Sequence, residues 1–286
     1  MKISFALGSA NFGMIYGISN QTNLMSENQA AEIISAATRN GINTIDTAPS
    51  YGSAELIIGK YNSRFKKLNC YSKISGKVYR NATEIIDAIR TSISVLNIHT
   101  LEGIYFHDLK MLLECENEVI SEAIHLATKE NLVKKFGVSI YSPEEITKVT
   151  DNYPNIKMMQ IPENIFDRRF YDLQIINELF DSGYEINVRS VFLQGLILMQ
   201  YEKIPTKLRN IIPYIEDLKV YAESLNIELI DLCLSYLSYL QGANKFIIGV
   251  SKVKQLEKIN QFTKVDIDFD RLPKIKEKEL IDPRLW

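Results

Sequence analysis

The sequence predicts a single-domain α/β protein, a (β/α)8 barrel that spans residues 1–286. Short β-rich runs alternate with longer segments of helical apolar spacing, which is typical of βα units around a parallel sheet. Eight such runs can be counted, the number that this barrel requires. A doubly wound two-domain protein is the less favoured alternative, because no linker divides the chain and no GxGxxG loop or P-loop motif follows a strand. The predicted strands cover residues 4–8, 43–48, 69–74, 101–107, 133–139, 157–161, 185–191 and 245–250.

Start and stop signals define several of the intervening helices. Ser26 and Gln29 form a possible capping box, and Asn40 with Gly41 supplies the stop for the same helix. The run Ser-Pro-Glu-Glu at 142–145 places a cap, a proline at the first helical position and an acidic first turn in order. These signals predict helices that begin near residues 27 and 143.

Composition excludes several classes of protein. Lys and Arg number 33 against 35 Asp and Glu, and 46% of the residues are apolar, so we expect a globular protein without a nucleic-acid partner. No apolar run reaches the length of a membrane span, and the N-terminus lacks a signal peptide, so we expect a cytoplasmic protein. Cys70, Cys115 and Cys233 are far apart and have no metal-ligand spacing, so we expect neither disulfides nor a metal site.

Four polar residues mark a candidate catalytic site at the ends of consecutive strands. Asp46, Lys73 and His107 close the second, third and fourth predicted strands, and Tyr51 lies on the loop after Asp46. In a barrel of this kind the chemistry occurs at the C-terminal ends of the strands. A lysine beside a phenol favours the phenolate, a carboxylate can hold that lysine, and a neutral imidazole can hydrogen-bond a substrate oxygen. No nucleophile motif accompanies His107, which disfavours acyl-enzyme chemistry.

The chain resembles the aldo-keto reductases over nearly its whole length and in the same order. The matching segments are LGSANFG (7–13), IDTAPSYGSAELIIGKY (45–61), YSKI (71–74), YFHD (105–108), FGVSIYSPEEI (136–146), QIPENIFDRR (160–169), VRSVFLQGLIL (188–198) and IIGVSKVKQLEKIN (247–260). The resemblance implies an enzyme that moves hydride between a nicotinamide cofactor and a carbonyl or alcohol. It assigns Tyr51 as general acid, Lys73 as the group that lowers its pKa, Asp46 as the support for Lys73, and His107 as the group that orients the substrate.

The same resemblance implies a set of cofactor-binding residues. Ser139 and Gln160 match positions that hydrogen-bond the nicotinamide amide, and Arg189 stands where many members stack an aromatic ring on the nicotinamide. The remaining predicted cofactor residues are Ser190, Phe192, Gly195, Gly249, Ser251, Lys252, Gln255 and Asn260. Lys252 is the predicted partner of an adenosine 2′-phosphate, so NADP is expected, with NAD as the alternative.

Two other functions remain open at this point. One is a nicotinamide-binding regulatory subunit with little turnover, and the other is a barrel lyase in which Lys73 forms a Schiff base. For a reductase, a polar, sugar-like carbonyl substrate is expected, because hydrogen-bonding side chains dominate the predicted pocket rim. The predicted rim residues are Asn11, Tyr16, Tyr51, His107, Asp108, Asn164 and Arg168. The loop after His107 is expected to be short, and the residues from 282 to 286 either cover the pocket or pack on the barrel side.

Overall fold

A computed structural model describes residues 3–18, 24–65, 67–74 and 78–286. Eight parallel strands close into a barrel in sequence order, with β1 paired to both β2 and β8. The predicted fold class is therefore confirmed. The strands are β1 (Phe5–Gly8), β2 (Thr44–Asp46), β3 (Asn69–Ile74), β4 (Gly103–Phe106), β5 (Phe136–Ser139), β6 (Met158–Pro162), β7 (Glu185–Arg189) and β8 (Ala243–Gly249).

Helices surround the barrel. In the described ranges the α-helices are α1 (Ala10–Gly13), α2 (Glu27–Arg39), α3 (Ala54–Arg64), α4 (Ala82–Leu96), α5 (Leu109–Leu113), α6 (Asn117–Lys129), α7 (Ile146–Thr150), α8 (Arg169–Asp172), α9 (Ile175–Asp181), α10 (Ile212–Ser224), α11 (Leu229–Leu237), α12 (Val253–Asn260) and α13 (Lys278–Ile281). Short 3-10 helices cover Pro143–Glu145, Leu193–Leu198, Tyr201–Lys203, Thr206–Ile211, Phe269–Arg271 and Pro283–Leu285. Within these residues no helix combines the length and the apolar run that crossing a membrane demands.

The signals predicted at residues 26–41 act as expected, whereas the run at 142–145 forms a 3-10 turn, Pro143–Glu145, and α7 begins after it. The Ser26 hydroxyl accepts a hydrogen bond from the Gln29 backbone N–H, and the Gln29 side chain accepts one from the Ser26 N–H, so both groups of the capping box are satisfied. Asn40 ends α2, and Gly41 follows with a φ of 82°, a conformation that glycine adopts without steric cost. The three cysteines are all buried and free.

Two predicted details differ from the structure. The connection after β4 was expected to be a short loop, but Asp108 caps a helical turn there, because its carboxylate accepts a hydrogen bond from the Met111 N–H at 2.8 Å. The predicted strand at 133–139 begins only at Phe136, and Val133 forms an isolated bridge with Leu101 instead.

The interior of the barrel is polar along β7. Alternate residues of a barrel strand face inward, and bulky branched side chains normally fill that space. On β7 the residues at this spacing are Glu185, Asn187 and Arg189. The Glu185 carboxylate accepts hydrogen bonds from the Tyr71 hydroxyl at 2.7 Å and from the Lys135 ammonium group at 2.5 Å. Hydrogen bonds therefore help to stabilise the lower half of the barrel, the half at the N-terminal ends of the strands.

A close contact between two glycines positions the loop that carries Tyr51. A Cβ atom added to Gly13 would lie 2.0 Å from the Tyr51 carbonyl oxygen and 2.3 Å from the Ala54 backbone nitrogen. A Cβ atom on Gly52 would lie 2.2 Å from the Gly13 carbonyl oxygen, and the φ of Gly52 is +59°. The loops after β1 and β2 thus pack backbone against backbone.

We expect Gly13→Ala to lower the free energy of unfolding by about 3 kcal/mol, because the added methyl group would meet rigid backbone atoms. Gly41→Ala is the control: its Cβ would meet open space, so only the positive φ would cost about 1 kcal/mol. Urea unfolding of both variants measures the difference. An equal loss of unfolding free energy in the two variants would show that the loops after β1 and β2 can move apart at little cost.

Candidate active site

A buried ion pair lies at the C-terminal mouth of the barrel. The Lys73 ammonium group donates a hydrogen bond to Asp46 Oδ1 at 2.6 Å and to the Thr47 carbonyl oxygen at 3.1 Å. The side chains of Lys73 and Asp46 are 1% and 7% exposed. Strands β2 and β3 are neighbours, so their end residues meet as the sequence predicts. The second oxygen of Asp46 accepts a hydrogen bond from Gln160 Nε2 at 2.8 Å, which ties β6 to the same carboxylate.

Tyr51 and His107 stand beside this pair. The Lys73 nitrogen lies 4.9 Å from the centroid of the Tyr51 ring. The rings of Tyr51 and His107 meet edge to face, with centroids 6.1 Å apart and an interplanar angle of 82°. The structure therefore brings together all four predicted catalytic residues.

The surroundings shift the pKa values of two of these groups. Burial disfavours the charged form of Lys73, but the Asp46 carboxylate and the Tyr51 hydroxyl favour it, and the net effect raises the pKa of Lys73. Burial, with the charge of Lys73 as the next cause, lowers the pKa of His107 to about 4. At neutral pH the site therefore presents a cationic lysine and a neutral imidazole.

Three of the predicted cofactor residues form one side of the mouth. Ser139 on β5 is buried and paired in register with Gln160 on β6. Arg189 at the end of β7 donates a hydrogen bond to the Ile140 carbonyl oxygen at 3.1 Å. Its guanidinium group also lies 4.1 Å from the centre of the Tyr141 ring. Gln160 links this side of the mouth to the ion pair through its hydrogen bond to Asp46.

The loop after β7 has an unusual backbone. Ser190, Leu193 and Gln194 have φ values of 62°, 49° and 54°, and Gly195 has a φ of 87°. Non-glycine residues rarely adopt positive φ, and such strain clusters at functional sites. Phe192, also predicted to contact the cofactor, lies partly buried among them. The loop thus has the strained geometry expected of a ligand-binding segment.

The predicted cofactor residues after β8 do not all lie close together. Gly249 ends the strand, and Gln255 Oε1 accepts hydrogen bonds from the backbone N–H groups of Ser251 and Lys252 at 2.7 and 3.1 Å. Gln255 therefore caps α12 in this structure, and its contact with a cofactor stays a prediction. Asn260 is the last residue of α12, about 12 Å along the helix from Lys252, so the structure does not bring these two together.

A model of the aldo/keto reductase family matches residues 6–280. The chain belongs to this family. Members are oxidoreductases that act on small-molecule carbonyl compounds, so the chain is an oxidoreductase. The D-arabinose 1-dehydrogenase of Saccharomyces cerevisiae is 25% identical over 250 residues, which are 79% of this chain and 74% of that protein.

Solved structures show the same fold. An aldo-keto reductase of Bacillus halodurans in its holo form has a TM-score of 0.70 and 20% identity, covering 97% of this chain and 89% of that one. The glycerol dehydrogenase of Gluconobacter oxydans has a TM-score of 0.69 and 19% identity, covering 93% of this chain and 88% of that one.

An unpartnered atom at the mouth fits the nicotinamide cofactor that aldo/keto reductases use. The side-chain nitrogen of Asn11 donates to the Val250 carbonyl oxygen at 2.7 Å and to Ser251 Oγ at 3.4 Å. Its Oδ1 atom is buried and has no hydrogen-bond partner within the described residues. This acceptor, the hydroxyl of Ser139 and the strained loop after β7 form a donor and acceptor set that suits a ligand with amide and hydroxyl groups.

The predicted rim is only partly confirmed. Tyr16 is 43% exposed, and burial of its hydroxyl, with Tyr51 as the next cause, raises its pKa. Asn164 instead holds the loop after β6 and donates to the Ser190 carbonyl oxygen at 3.1 Å. Arg168 is buried and its charge acts on Tyr236 in α11, so its place on the rim stays a prediction.

Tyr141 is not among the residues predicted from the sequence, and Arg284 is included there only within the segment 282–286 that could cover the pocket. The Tyr141 ring is contacted by Arg189 and by Arg284, whose guanidinium group lies 4.0 Å from the ring centre. Asp282 fixes Arg284 through both carboxylate oxygens. The segment after α13 therefore reaches the mouth of the barrel. Tyr141 directly follows the Ser139-Ile140 pair, and this position was the available signal.

We expect the imidazole of His107 to gain a proton only as the pH falls to about 4. Its pKa in the unfolded chain is about 6.5, so the neutral ring contributes stability above that pH, and this stability is lost between about pH 6.5 and 4. NMR spectra of imidazole nitrogens across this range measure the titration, with the exposed His99 and His125 as reference signals. Protonation of His107 near pH 6.5 would contradict the buried site.

Proposed function

We propose that the chain is a cytoplasmic, NADP-dependent reductase of a polar carbonyl compound, with its single barrel domain as the catalytic unit. NAD is the second choice of cofactor. The observation that carries the proposal is the buried Lys73 ammonium group, which Asp46 holds 4.9 Å from the ring of Tyr51. A cation in this position favours the phenolate that remains after Tyr51 has given up its proton.

Each of the four residues has a part in carbonyl reduction. The bound cofactor supplies a hydride to the carbonyl carbon. Tyr51 donates a proton to the carbonyl oxygen as negative charge develops there. Lys73 stabilises the Tyr51 phenolate, and Asp46 keeps Lys73 charged and in place. His107, neutral at the working pH, donates a hydrogen bond that orients the same oxygen.

The ion pair disfavours a Schiff-base lyase. Such an enzyme needs a neutral amine as nucleophile, whereas the pKa of Lys73 is raised and its nitrogen is engaged by Asp46 and Thr47. A regulatory subunit with little turnover would not need a proton donor next to this pair. Reduction is therefore the function that the geometry supports best.

We assign the residues that would hold the cofactor to three groups. Ser139, Gln160 and Arg189 would contact the nicotinamide, and the strained loop after β7 would contact the diphosphate. The residues of that loop are Ser190, Phe192 and Gly195, and the adenosine would be held by Gly249, Ser251, Lys252 and Gln255, whereas Asn260 lies too far along α12 to join them. With the N–H groups of Ser251 and Lys252 already bonded to Gln255, the Lys252 ammonium group is the main attraction for a 2′-phosphate.

The groups near the reacting centre favour a hydrophilic substrate. The Tyr16 hydroxyl lies in the field of Tyr51, Arg189 and Tyr141, so polar groups that can hydrogen-bond a substrate lie near one another here. The names of two relatives, a D-arabinose dehydrogenase and a glycerol dehydrogenase, refer to polyhydroxylated compounds. These observations support a sugar-like aldehyde or ketone as the substrate.

We expect Tyr51→Phe to reduce kcat by about 1000-fold or more while the Kd for NADPH stays within twofold, because only the proton is lost. The wild-type enzyme is first assayed with keto-sugars, short aldehydes and a steroid ketone, and the polar compounds should give the higher kcat/KM. Leu56→Ala, an exposed change on the following helix, is the control. A variant that keeps about a tenth of the wild-type rate would contradict the role of Tyr51.

We expect Lys252→Ala to weaken NADPH binding by about 1 to 3 kcal/mol and NADH binding much less, because only NADPH carries the 2′-phosphate. Fluorescence titration measures both affinities, and Lys254→Ala, an exposed neighbour, controls for general loss of positive charge. Equal losses for the two cofactors would contradict the assignment of Lys252.

A further inference from the structure

A small cavity lies inside the barrel directly beneath the ion pair. Its volume is about 10 Å³, and its walls include Asp46, Tyr71, Tyr105, Asn187 and Lys245. This is room for about one water molecule, and a buried water needs two to four polar partners to be stable. The walls supply these partners, so the cavity differs from the dry apolar voids of most protein cores.

One atom on the cavity wall lacks a partner. Asn187 is 2% exposed, and its side-chain nitrogen donates to the Tyr105 hydroxyl at 2.6 Å and to Glu185 Oε1 at 3.1 Å. Its Oδ1 atom is buried without a hydrogen-bond partner among the residues that the structure describes. The two polar atoms of an amide point in different directions, so Oδ1 faces away from Tyr105 and Glu185. Buried carbonyl oxygens are rarely left unpaired.

Tyr105 has hydrogen-bonding capacity to spare. Its hydroxyl accepts from Asn187, is wholly buried, and makes no second hydrogen bond within the described ranges, so its own hydrogen needs an acceptor inside the barrel. Asp46 receives one donor on each carboxylate oxygen, from Lys73 and from Gln160, and each oxygen can accept one more. Lys245 is engaged by the Ser4 hydroxyl at 2.8 Å.

We propose that the cavity binds one structural water, which accepts a hydrogen bond from Tyr105 and donates to Asn187 Oδ1 and to the Asp46 carboxylate. Asn187 and Tyr105 are then positioning residues, which hold Asp46 from below as Lys73 and Gln160 hold it from above. This second role rests on the proposed function, because it matters only if Asp46 and Lys73 set the acidity of Tyr51.

A high-resolution crystal structure of the full chain tests the water. We expect density for one water within hydrogen-bond distance of Asn187, Tyr105 and Asp46. An empty cavity, or a Lys245 ammonium group turned into it, would overturn the proposal. This result does not depend on the activity of the protein.

A pair of matched variants tests the positioning role. Tyr105→Phe and Tyr71→Phe each remove one hydroxyl from two stacked, buried rings on the cavity wall, but the Tyr71 hydroxyl donates to Glu185 and takes no part in the proposed bonds to the water. We expect Tyr105→Phe to slow single-turnover hydride transfer by about 10- to 100-fold with the Kd for NADPH unchanged, and Tyr71→Phe to slow it less than threefold. Melting temperatures show whether both variants lose similar stability. Equal slowing by both would overturn the positioning role, whereas a wild-type protein without NADPH or NADH oxidation would instead contradict the proposed function.

Discussion

The ion pair between Asp46 and Lys73 is the interaction on which the mouth of the barrel depends. Taking both charges out of water costs several kcal/mol per ion, and only close geometry with further hydrogen bonds offsets that cost. The structure supplies these bonds through Thr47 and Gln160, which belong to the loop after β2 and to β6. The pair therefore fixes three parts of the barrel relative to one another and directs a positive charge at the ring of Tyr51.

Burial, with the charge of Lys73 as the next cause, keeps His107 neutral beside this pair. The imidazole lies within the field of Lys73 and is partly buried, and both effects disfavour its protonated form. A neutral ring and a charged lysine can then act on the same small volume without competing for a proton. An active site can in this way hold one nitrogen base neutral, to orient the substrate, and another charged, to stabilise an anion.

The sequence allowed the fold and the four central residues to be predicted for clear physical reasons. Barrel strands are buried on both faces, so their apolar runs stand out between amphipathic helices, and strand ends of neighbouring βα units meet at one edge. Asp46, Lys73 and His107 could be placed by that rule alone. Contacts between residues far apart in the chain could not be predicted. Arg284, for example, contacts Tyr141 from a segment without regular periodicity. Gln255 illustrates another limit, because one side chain can cap a helix or bind a ligand and the sequence is the same in both cases.

The polar lower half of the barrel was also missed, although β7 carries its signal. Polar residues at every second position of a strand that is buried on both faces indicate partners inside the barrel. The register of those partners depends on how the strands stagger around the closed sheet, which the sequence does not reveal.

The bonds among Lys135, Glu185 and Tyr71 have a consequence for how this barrel can vary. Replacing Glu185 alone would leave the buried Tyr71 hydroxyl without its acceptor and release the half-exposed Lys135 to water, and replacing Tyr71 alone would leave a carboxylate oxygen with one donor fewer. We therefore expect simultaneous substitution of all three residues to cost less stability than substitution of one of them alone. In a redesign of this interior, or in a comparison with distant relatives, the three positions should therefore be considered together.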